Sequence, residues 1–455
     1  MKHVIVGNGP AGMTAALTIR AARPEDAVTV VTADEGAYYS KVREPDLVAG
    51  KVDAGTLELA GESAIRQAGI DLMAGVAVRS LDCGARRLFL EDGRELSYDH
   101  LLLATGASPV VPPVPGLCPP SGEAAPDTPA GTRGRGAGHP LPAGVFALRT
   151  LQDARRLARA AGSARGAVVV GGGFIGVHVA WALAMRGLRV TLIEKMPTLL
   201  PGACDPEASA LIAGHLERSG IRVMLNTELE ALESGGDDLE VRAGGGAITC
   251  QLVVLAVGVR PNLALARQAG ADVGEGVITD GTLATTVPDL WAAGDVAQTL
   301  DLATGKQAML PLWPLAVAQG RVAGRNMAGL RSYYRGGLRV NAVHLGPLQV
   351  ISVGDVSPSG PSARVLTTSG AWGRVSAGPV PWGRFAGQPG ALGFTPVYGR
   401  IAFQDDRPVG ALLVGRVEAA GILANLIARA IHLSRPDDAV RLLRSVVRVA
   451  LPARL

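Results

Sequence analysis

The run HVIVGNGPAG at residues 3–12 decides the fold of this chain. A short apolar stretch leads into the spacing G-x-G-x-x-G, and a helical pattern then runs from Met13 to Ala22. A second apolar run, Val28-Thr29-Val30-Val31, is followed by an acid, Asp34. This order, a strand, a glycine turn, a helix, a second strand and then an acid, is typical of a dinucleotide-binding βαβ unit.

The same order occurs a second time. Residues 167–176 read AVVVGGGFIG, a helix is predicted to about Met185, and the strand Val190-Thr191-Leu192-Ile193 precedes Glu194. A single G-x-G-x-x-G is weak evidence, but two copies in full context predict two nucleotide sites. The alternative is a pair of glycine-rich turns without a ligand.

Each residue type in the motif has a physical task. The first glycine permits the tight turn, the second lets a pyrophosphate approach the backbone, and the third lets helix and strand pack closely. The helix N-terminus supplies partial positive charge, and the acid accepts hydrogen bonds from a ribose diol. The first candidate set is Gly7, Gly9, Pro10, Ala11, Gly12 and Asp34. The second set is Gly171, Gly173, Phe174, Ile175, Gly176, Glu194 and Lys195.

The acid of the second copy predicts which coenzyme is used. A carboxylate at Glu194 bonds a 2′-hydroxyl and repels a 2′-phosphate, which favours NAD(H) over NADP(H). Lys195 follows directly and can weaken that preference.

Composition narrows the class of protein. The chain has 455 residues, enough for two to four domains, and 48% are hydrophobic. Glycine and proline make up about a fifth of the chain, but the glycines lie inside apolar runs, so general disorder is excluded. The net charge is only +4 and aromatic residues are 4%, which argues against a nucleic-acid partner.

Cysteine usage predicts a reducing compartment, so we expect a cytoplasmic protein. The four cysteines are scattered without metal-ligand spacing, which predicts no disulfide framework, zinc site or iron–sulfur cluster. Residues 167–185 have the length of a membrane span, with His178 as their one potentially charged residue. The glycine triplet inside that run indicates a buried strand, a turn and a buried helix instead, so no membrane span is predicted.

Three further segments complete the pattern, at residues 98–107, 252–262 and 290–295. The five segments in this order resemble the two-dinucleotide-binding-domain flavoproteins of the pyridine nucleotide–disulfide oxidoreductase superfamily. The resemblance implies FAD on the first Rossmann unit and NAD(H) on the second. It implies an α/β fold of two Rossmann-like domains, the FAD domain interrupted by the NAD domain, with a C-terminal α+β interface domain. The expected boundaries are 1–116 and 251–331 for FAD, 117–143 for a Pro/Gly-rich insertion, 144–250 for NAD(H), and 332–455 for the interface domain.

The resemblance also implies further site residues. The turn Ala104-Thr105-Gly106 would cross near the FAD, together with Val78 and Gly294. Asp295 would bond the ribityl chain, or else cap a helix. Gly258 would lie beside the nicotinamide, Lys41 near the flavin and Trp313 at the isoalloxazine edge. The alternatives are a solvated surface lysine for Lys41 and a core tryptophan for Trp313.

The absence of a redox cysteine near the expected flavin site indicates which branch of the family this chain resembles. Residues 39–45, YSKVREP, contain no redox cysteine, which argues against disulfide reductases and cysteine-dependent water-forming oxidases. This loop and residues 311–329 are similar to NADH:rubredoxin reductases and to the flavin modules of nitrite reductases. His178 stands where the family usually has a glutamate near the nicotinamide. The alternative is a histidine with no role beyond the helix face.

The prediction is an FAD-dependent oxidoreductase that transfers a hydride between NAD(H) and FAD. It would exchange electrons with an iron–sulfur or rubredoxin-type partner or subunit, as the NAD-coupling part of a larger complex. The alternatives are a peroxide-forming NADH oxidase and a non-catalytic FAD-binding subunit, the latter suggested by His178. A homodimer or hetero-oligomer would form through the C-terminal domain, where helices are predicted at 419–433 and 436–450.

Overall fold

The computed structural model describes residues 1–36, 38–117, 141–236, 238–372 and 395–431. The sequence predictions for the centre of the insertion and for the helix at 436–450 lie outside these residues. The chain divides into two compact units. The first comprises Met1–Pro197, Leu216–Asp301 and Gly305–Gly337, and the second comprises the remaining segments.

The first part of the chain builds a parallel sheet with small antiparallel sheets beside it. Its elements in order are β1 (Lys2–Val6), α1 (Pro10–Ala22), β2 (Ala27–Thr32), β3 (Tyr38–Tyr39), a 3-10 turn (Lys41–Arg43), α2 (Glu44–Val48), a second 3-10 turn (Ala54–Leu57), β4 (Glu58–Ala60), α3 (Glu62–Gln67), β5 (Asp71–Ala74), β6 (Val78–Asp82), β7 (Arg87–Leu90), β8 (Glu95–Ser97), β9 (His100–Leu103) and β10 (Ala107–Pro109).

The middle of the chain builds a second parallel sheet and then returns to the first. Its elements are β11 (Val145–Ala147), α4 (Leu151–Ala160), β12 (Gly166–Val170), α5 (Phe174–Met185), β13 (Arg189–Ile193), α6 (Pro206–Arg218), β14 (Ile221–Met224), β15 (Leu229–Gly235), β16 (Asp238–Ala243), β17 (Gly246–Cys250), β18 (Leu252–Leu255), β19 (Val259–Pro261), α7 (Ala264–Gln268), β20 (Val277–Ile278), β21 (Leu290–Ala292), β22 (Ala297–Leu300), β23 (Gln307–Met309) and α8 (Trp313–Met327).

The two parallel sheets have five strands each. Their strand orders are β21-β9-β1-β2-β5 and β11-β18-β12-β13-β14. Because β21 pairs with β9, the chain completes the first sheet only after building the second. The fold is therefore α/β with two Rossmann-like sheets, the first interrupted by the second, as predicted. Strand β18 pairs with β11 and β12 within the second sheet, and the predicted domain boundaries stay predictions.

The strands that carry the glycine turns are the centres of their sheets. The residues Ile5 on β1 and Val168 and Val169 on β12 have no exposed surface. Such continuous apolar strands are typical of parallel sheets covered on both faces. Burial of these side chains holds the carboxyl ends of β1 and β12, and thus both turns, in fixed positions.

Helices α1 and α8 cross in very close contact. A Cβ added at Gly320 would overlap the carbonyl oxygen of Ala11, and one at Gly324 would lie 2.7 Å from that of Ala15. Glycine is thus required on α8 for this approach. The contact fixes α8, and Trp313 at its start, against the helix that follows the first glycine turn.

The apolar run at residues 167–185 is divided as predicted. It forms strand β12, the glycine turn and helix α5, which ends at Met185. Most of α5 is buried within the first unit. Among the described residues no helix is long and apolar enough to cross a membrane.

The second unit contains a five-stranded antiparallel sheet. Its elements are β24 (Val340–Leu345), β25 (Leu348–Gly354), β26 (Ala363–Trp372), β27 (Thr395–Gln404), β28 (Arg407–Val414) and α9 (Ala420–Ala428). Helix α9 covers β25 and β28. Asp205 ties the segment Thr198–His215 to this sheet, because its carboxylate accepts hydrogen bonds from Tyr398 and, at 2.8 Å, from Arg400. A sheet with a covering helix is the predicted α+β arrangement.

Candidate functional site

The first glycine turn uses its three glycines for three different reasons. Gly7 has φ +111°, and a Cβ there would overlap the carbonyl oxygen of Ala104. A Cβ at Gly12 would overlap the carbonyl oxygen of Gly7, so helix α1 can approach the turn only without a side chain. At Gly9 a Cβ would meet nothing within 4 Å. Gly9 therefore borders open space at the helix N-terminus.

The second turn repeats this geometry. Gly171 has φ +106°, and a Cβ there would overlap the carbonyl oxygen of Ala256. A Cβ at Gly176 would overlap the carbonyl oxygen of Gly171, and Gly173 borders open space. The residues that precede the two helices have nearly the same dihedral angles. They are −70° and −176° at Gly9, and −74° and −178° at Gly173. The duplication seen in the sequence is thus a duplication of backbone structure.

Both helix N-termini suit an anion. Neither α1 nor α5 has an acidic residue in its first turn, so no carboxylate competes for the free N–H groups. Pro10 starts α1 without sacrificing a paired donor, and Ala11 follows it. Phe174 and Ile175 start α5, and Ile175 is 45% exposed. The open space at both turns therefore fits the pyrophosphate of a dinucleotide.

The acid of the second copy is already ordered by the backbone. Glu194 is buried, and its carboxylate oxygens accept hydrogen bonds from the N–H groups of Gly172 at 2.6 Å and Met196 at 2.8 Å. Each oxygen keeps lone-pair capacity for a ribose hydroxyl. Lys195 is exposed beside it. The carboxylate is therefore fixed next to the glycine turn before any ligand arrives.

The first copy differs at the corresponding position. The residue after the paired strand positions is Thr32, where the second copy has Glu194. The Thr32 hydroxyl donates to the side chain of Asn8 at 3.0 Å and accepts from the N–H of Asp34 at 3.2 Å. The two acids, which sequence spacing treats as equivalent, thus occupy different places in their units.

Charged side chains from distant segments meet beside the first turn. Lys41 Nζ lies 3.6 Å from Asp34 Oδ2 and donates to the carbonyl oxygen of Arg149 at 3.5 Å. The Arg149 guanidinium in turn donates to Asp295 Oδ2 at 3.1 Å. Lys41 is thus an ion-paired residue and not a freely solvated lysine. Asp295 is followed by strand β22, so it does not cap a helix.

Arg149 belongs to this charged group, and sequence reasoning missed it. A Cβ at Gly106 would lie 2.9 Å from its guanidinium, so Arg149 borders the predicted FAD turn as well as Asp295. One local feature of the sequence pointed to this position. Thr150 and Asp153 form a capping box at the start of α4, and this box orders the backbone directly after Arg149.

The two predicted crossing segments are joined to each other. Strand β10 pairs with β19, and Asn262 accepts from the Thr105 hydroxyl at 3.1 Å and donates to the Thr105 carbonyl at 2.8 Å. Ala104 continues the ladder with β1, and Gly106 has φ +66°. Gly258 is exposed with φ +109° and open space around it. These segments connect the ends of the two parallel sheets.

Three other predicted residues have distinct surroundings. Gly294 has φ +82° and donates its N–H to the buried Gln319 amide oxygen at 2.7 Å. Trp313 is half-buried and stacks on Tyr38 with ring centroids 5.8 Å apart. The Val78 side chain is buried in the core beneath the first sheet, so only its backbone could face a ligand. His178 is half-buried on α5.

The three cysteines that the structure describes are free thiols and do not form a redox pair. Cys204 and Cys250 are buried, and burial raises the pKa of their thiols to about 12 and about 11. Cys83 lies in the turn between β6 and β7, and Cys118 falls outside the described residues. Within the described ranges no group of three His, Cys, Asp or Glu side chains could hold a metal ion.

Comparison with known proteins identifies the family. The family model described as pyridine nucleotide-disulphide oxidoreductase matches residues 1–320. The chain belongs to this family. An NADH oxidase of Methanocaldococcus jannaschii is 31% identical over 363 residues, 78% of this chain and 76% of that protein. The epsilon subunit of the NADH-dependent phenylglyoxylate dehydrogenase of Aromatoleum evansii is 31% identical over 357 residues, 78% of this chain and 79% of that one.

Two further matches agree with this assignment. A rubredoxin-NAD(+) reductase of Pseudomonas putida is 29% identical over 335 residues, 72% of this chain and 80% of that protein. The structure of a NAD-dependent persulfide reductase from A. fulgidus matches with a TM-score of 0.81 and 25% identity, over 95% of this chain and 77% of that one.

Membership of the family settles the class of enzyme. The chain is an NAD(H)-dependent flavoprotein oxidoreductase whose cofactors are FAD and NAD(H), as the sequence predicted. Its relatives include proteins that exchange electrons with a partner protein or subunit.

Proposed function

We propose that the turn at Gly7–Gly12 holds FAD, that the turn at Gly171–Gly176 holds NAD(H), and that the protein passes a hydride between them. The proposal rests on the duplicated glycine turn with its helix N-terminus, at residues 7–12 and 171–176. We call each of these two sites a cradle. Two helix N-termini in one chain have the same backbone angles, the same glycine contacts and the same open space. Two nucleotide cofactors account for two such cradles.

The surrounding side chains have defined tasks in this proposal. FAD is held by the turn at 104–106 together with Asp34, Lys41, Arg149 and Asp295. The two cations, Lys41 and Arg149, would stabilise the negative charge of the reduced flavin. Glu194 holds the ribose of NAD(H) and disfavours a 2′-phosphate. Gly258 leaves room for the nicotinamide. FAD, when bound, supplies the ability to accept a hydride and to give up electrons singly.

We further propose that the electrons pass to or from an iron–sulfur or rubredoxin-type protein or subunit. In the described part of the chain no side-chain group suits a metal ion, and the loop at residues 39–45 has no cysteine to act as an internal acceptor. One relative is named a rubredoxin reductase and another a dehydrogenase subunit. A cytoplasmic location and assembly through the C-terminal unit belong to the same proposal.

A matched pair of variants tests the cofactor assignment. Gly9→Val and Gly173→Val each place a side chain in the open space of one cradle. Purified without air, the wild type should show flavin absorption that NADH bleaches. Gly9→Val should be colourless, whereas Gly173→Val should stay yellow, bleach with dithionite and respond poorly to NADH. Flavin loss in Gly173→Val, or normal NADH bleaching in it, would contradict the assignment.

The same preparation distinguishes the alternatives. The relative named NADH oxidase favours oxygen as a second candidate acceptor. An oxidase would consume NADH in air at a sustained rate with stoichiometric peroxide and without added partner. A wild-type protein that stays yellow with NADH would instead indicate a non-catalytic subunit, and would direct attention to His178.

A further inference from the structure

The loop that carries Lys41 also contains a buried carboxyl with no assigned task. Glu44 is the first residue of α2, directly after the 3-10 turn Lys41–Arg43. Its side chain belongs to a residue only 5% exposed. Among the described residues its Oε1 atom has no hydrogen-bond partner, although it is fully buried. A buried carboxylate oxygen without a partner is costly, so this group favours its neutral form.

The charges around Glu44 are those of the proposed FAD site. Lys41 and Arg149 attract its charged form, while Asp153 and Asp34 repel it. Burial is the largest influence and raises the pKa of the Glu44 carboxyl to about 7, against the smaller opposing effect of the two cations. A further negative charge nearby would raise the pKa of this carboxyl again and favour its protonated form.

The other charged groups on the elements around Glu44 have hydrogen-bond or ion-pair partners of their own or are exposed to solvent. Helix α2 packs against α4 and α5. On α4, Asp153 is paired with Arg156 and holds the Thr150 cap. Near the end of α5, Arg186 donates to the carbonyl of Val48, at the opposite end of α2. Before α2, the phenol of Tyr39 accepts from the Leu151 N–H, and Arg43 pairs with Asp46. The remaining titratable groups on α4 and α5 are Arg155 and Arg159, which are exposed, and His178, which is half-buried.

We propose that Glu44 takes up a proton from solvent when the bound flavin is reduced, and releases it when the electrons leave. This inference rests on the proposed FAD site. A hydride brings one proton and two electrons, so the flavin gains one negative charge, and NADH leaves as NAD⁺. The proton on Glu44 comes from water and returns to water, so the carboxyl changes only its charge.

The physical reason is competition for the two cations. A negative charge gained by the flavin beside Lys41 and Arg149 offsets their attraction for the Glu44 carboxylate. Burial of its unpartnered oxygen, now less opposed by the two cations, then shifts the carboxyl toward its neutral form. Glu44 thus acts as a positioning residue that keeps the net charge of the site constant during turnover.

The test compares holoproteins of the wild type, Glu44→Gln and a matched control, Asp46→Asn. Asp46 is on the same helix, but its side chain is 42% exposed. The flavin midpoint potential is measured across the neutral pH range. The wild type and Asp46→Asn should take up more protons per electron pair near and above neutral pH than Glu44→Gln, with one additional proton as the upper limit. The same pH dependence in all three proteins would overturn the proposal.

A second measurement detects the proton in the wild type itself, and variants serve only to assign its signal. The infrared difference spectrum of the wild type, reduced minus oxidised, should show a new band of a protonated carboxyl, which Glu44→Asp shifts and Asp46→Asn does not. Absence of that band in a yellow wild-type protein would overturn the inference while leaving the FAD site intact. A wild-type protein without flavin would instead overturn the proposed function itself.

Discussion

Replacing Glu194 with glutamine tests the coenzyme assignment at its most specific point. The carboxylate is buried and held by the N–H groups of Gly172 and Met196. Glutamine keeps the shape and one acceptor but removes the charge. The variant should therefore keep its FAD, which belongs to the other cradle, and change only how the protein selects between NADH and NADPH.

The size of the effect follows from the bonds involved. A hydrogen bond to a charged group contributes about 1.5–3 kcal/mol and one between neutral groups about 0.5–1.5 kcal/mol. Losing the charge therefore costs NADH about 1.5 kcal/mol, or about tenfold in kcat/KM. NADPH gains about tenfold or more, because like charges in contact cost several kcal/mol. The ratio of kcat/KM for NADH to that for NADPH should fall about 100-fold.

The assay measures reduction of the bound flavin by each coenzyme under the same conditions. Glu217→Gln is the matched control, because Glu217 is an exposed glutamate at the end of α6. It should leave the ratio unchanged. Equal flavin content in all three proteins shows that folding is intact. An unaltered ratio in Glu194→Gln would refute the role given to this carboxylate.

Two other predictions concern stability. Gly12→Ala places a Cβ against the carbonyl of Gly7 and should lower the free energy of unfolding by about 1–3 kcal/mol in urea. Gly36→Ala, with open space around it, should stay within about 0.5 kcal/mol, and equal losses would contradict the packing argument. Burial lowers the pKa of His3, which bonds Asp26 in its neutral form, whereas the unfolded chain binds the proton below about pH 6.5. Stability should therefore fall as the pH drops below about 6.5, and His3→Gln should flatten that fall in urea titrations.

The parts of the fold that were predictable are those fixed by local sequence. Each glycine turn depends on residues within one βαβ unit, so its strand, turn and helix can be recognised from spacing alone. The predicted end of α5 at Met185 is confirmed, as is the division of residues 167–185 into strand, turn and helix. The return of the chain to the first sheet followed from the order of the segments, which resembles the family.

Arg149 and Glu44 were not predictable in the same way. Neither belongs to a periodic pattern, and each gains its importance from a partner far away in sequence. Arg149 meets Asp295 across 146 residues, and Glu44 acquires its raised pKa only when α2 is packed under α4 and α5. Long-range electrostatics of this kind depends on the finished fold.

The two cradles share a backbone but differ in how their recognition is distributed, and this difference bears on how each cofactor is exchanged. At the second turn the acid that would bind the ribose is Glu194, ordered by its own unit. At the first turn Thr32 occupies that position, and the charged groups come from Lys41, Arg149 and Asp295 on three separate segments. In the proposed arrangement FAD is enclosed by parts of the chain that must separate before it can leave, whereas NAD(H) binds at the surface of one unit. Because both proposed sites are built on the same type of glycine turn, we expect the distribution of charged side chains, and not the turn, to distinguish a resident cofactor from an exchangeable coenzyme.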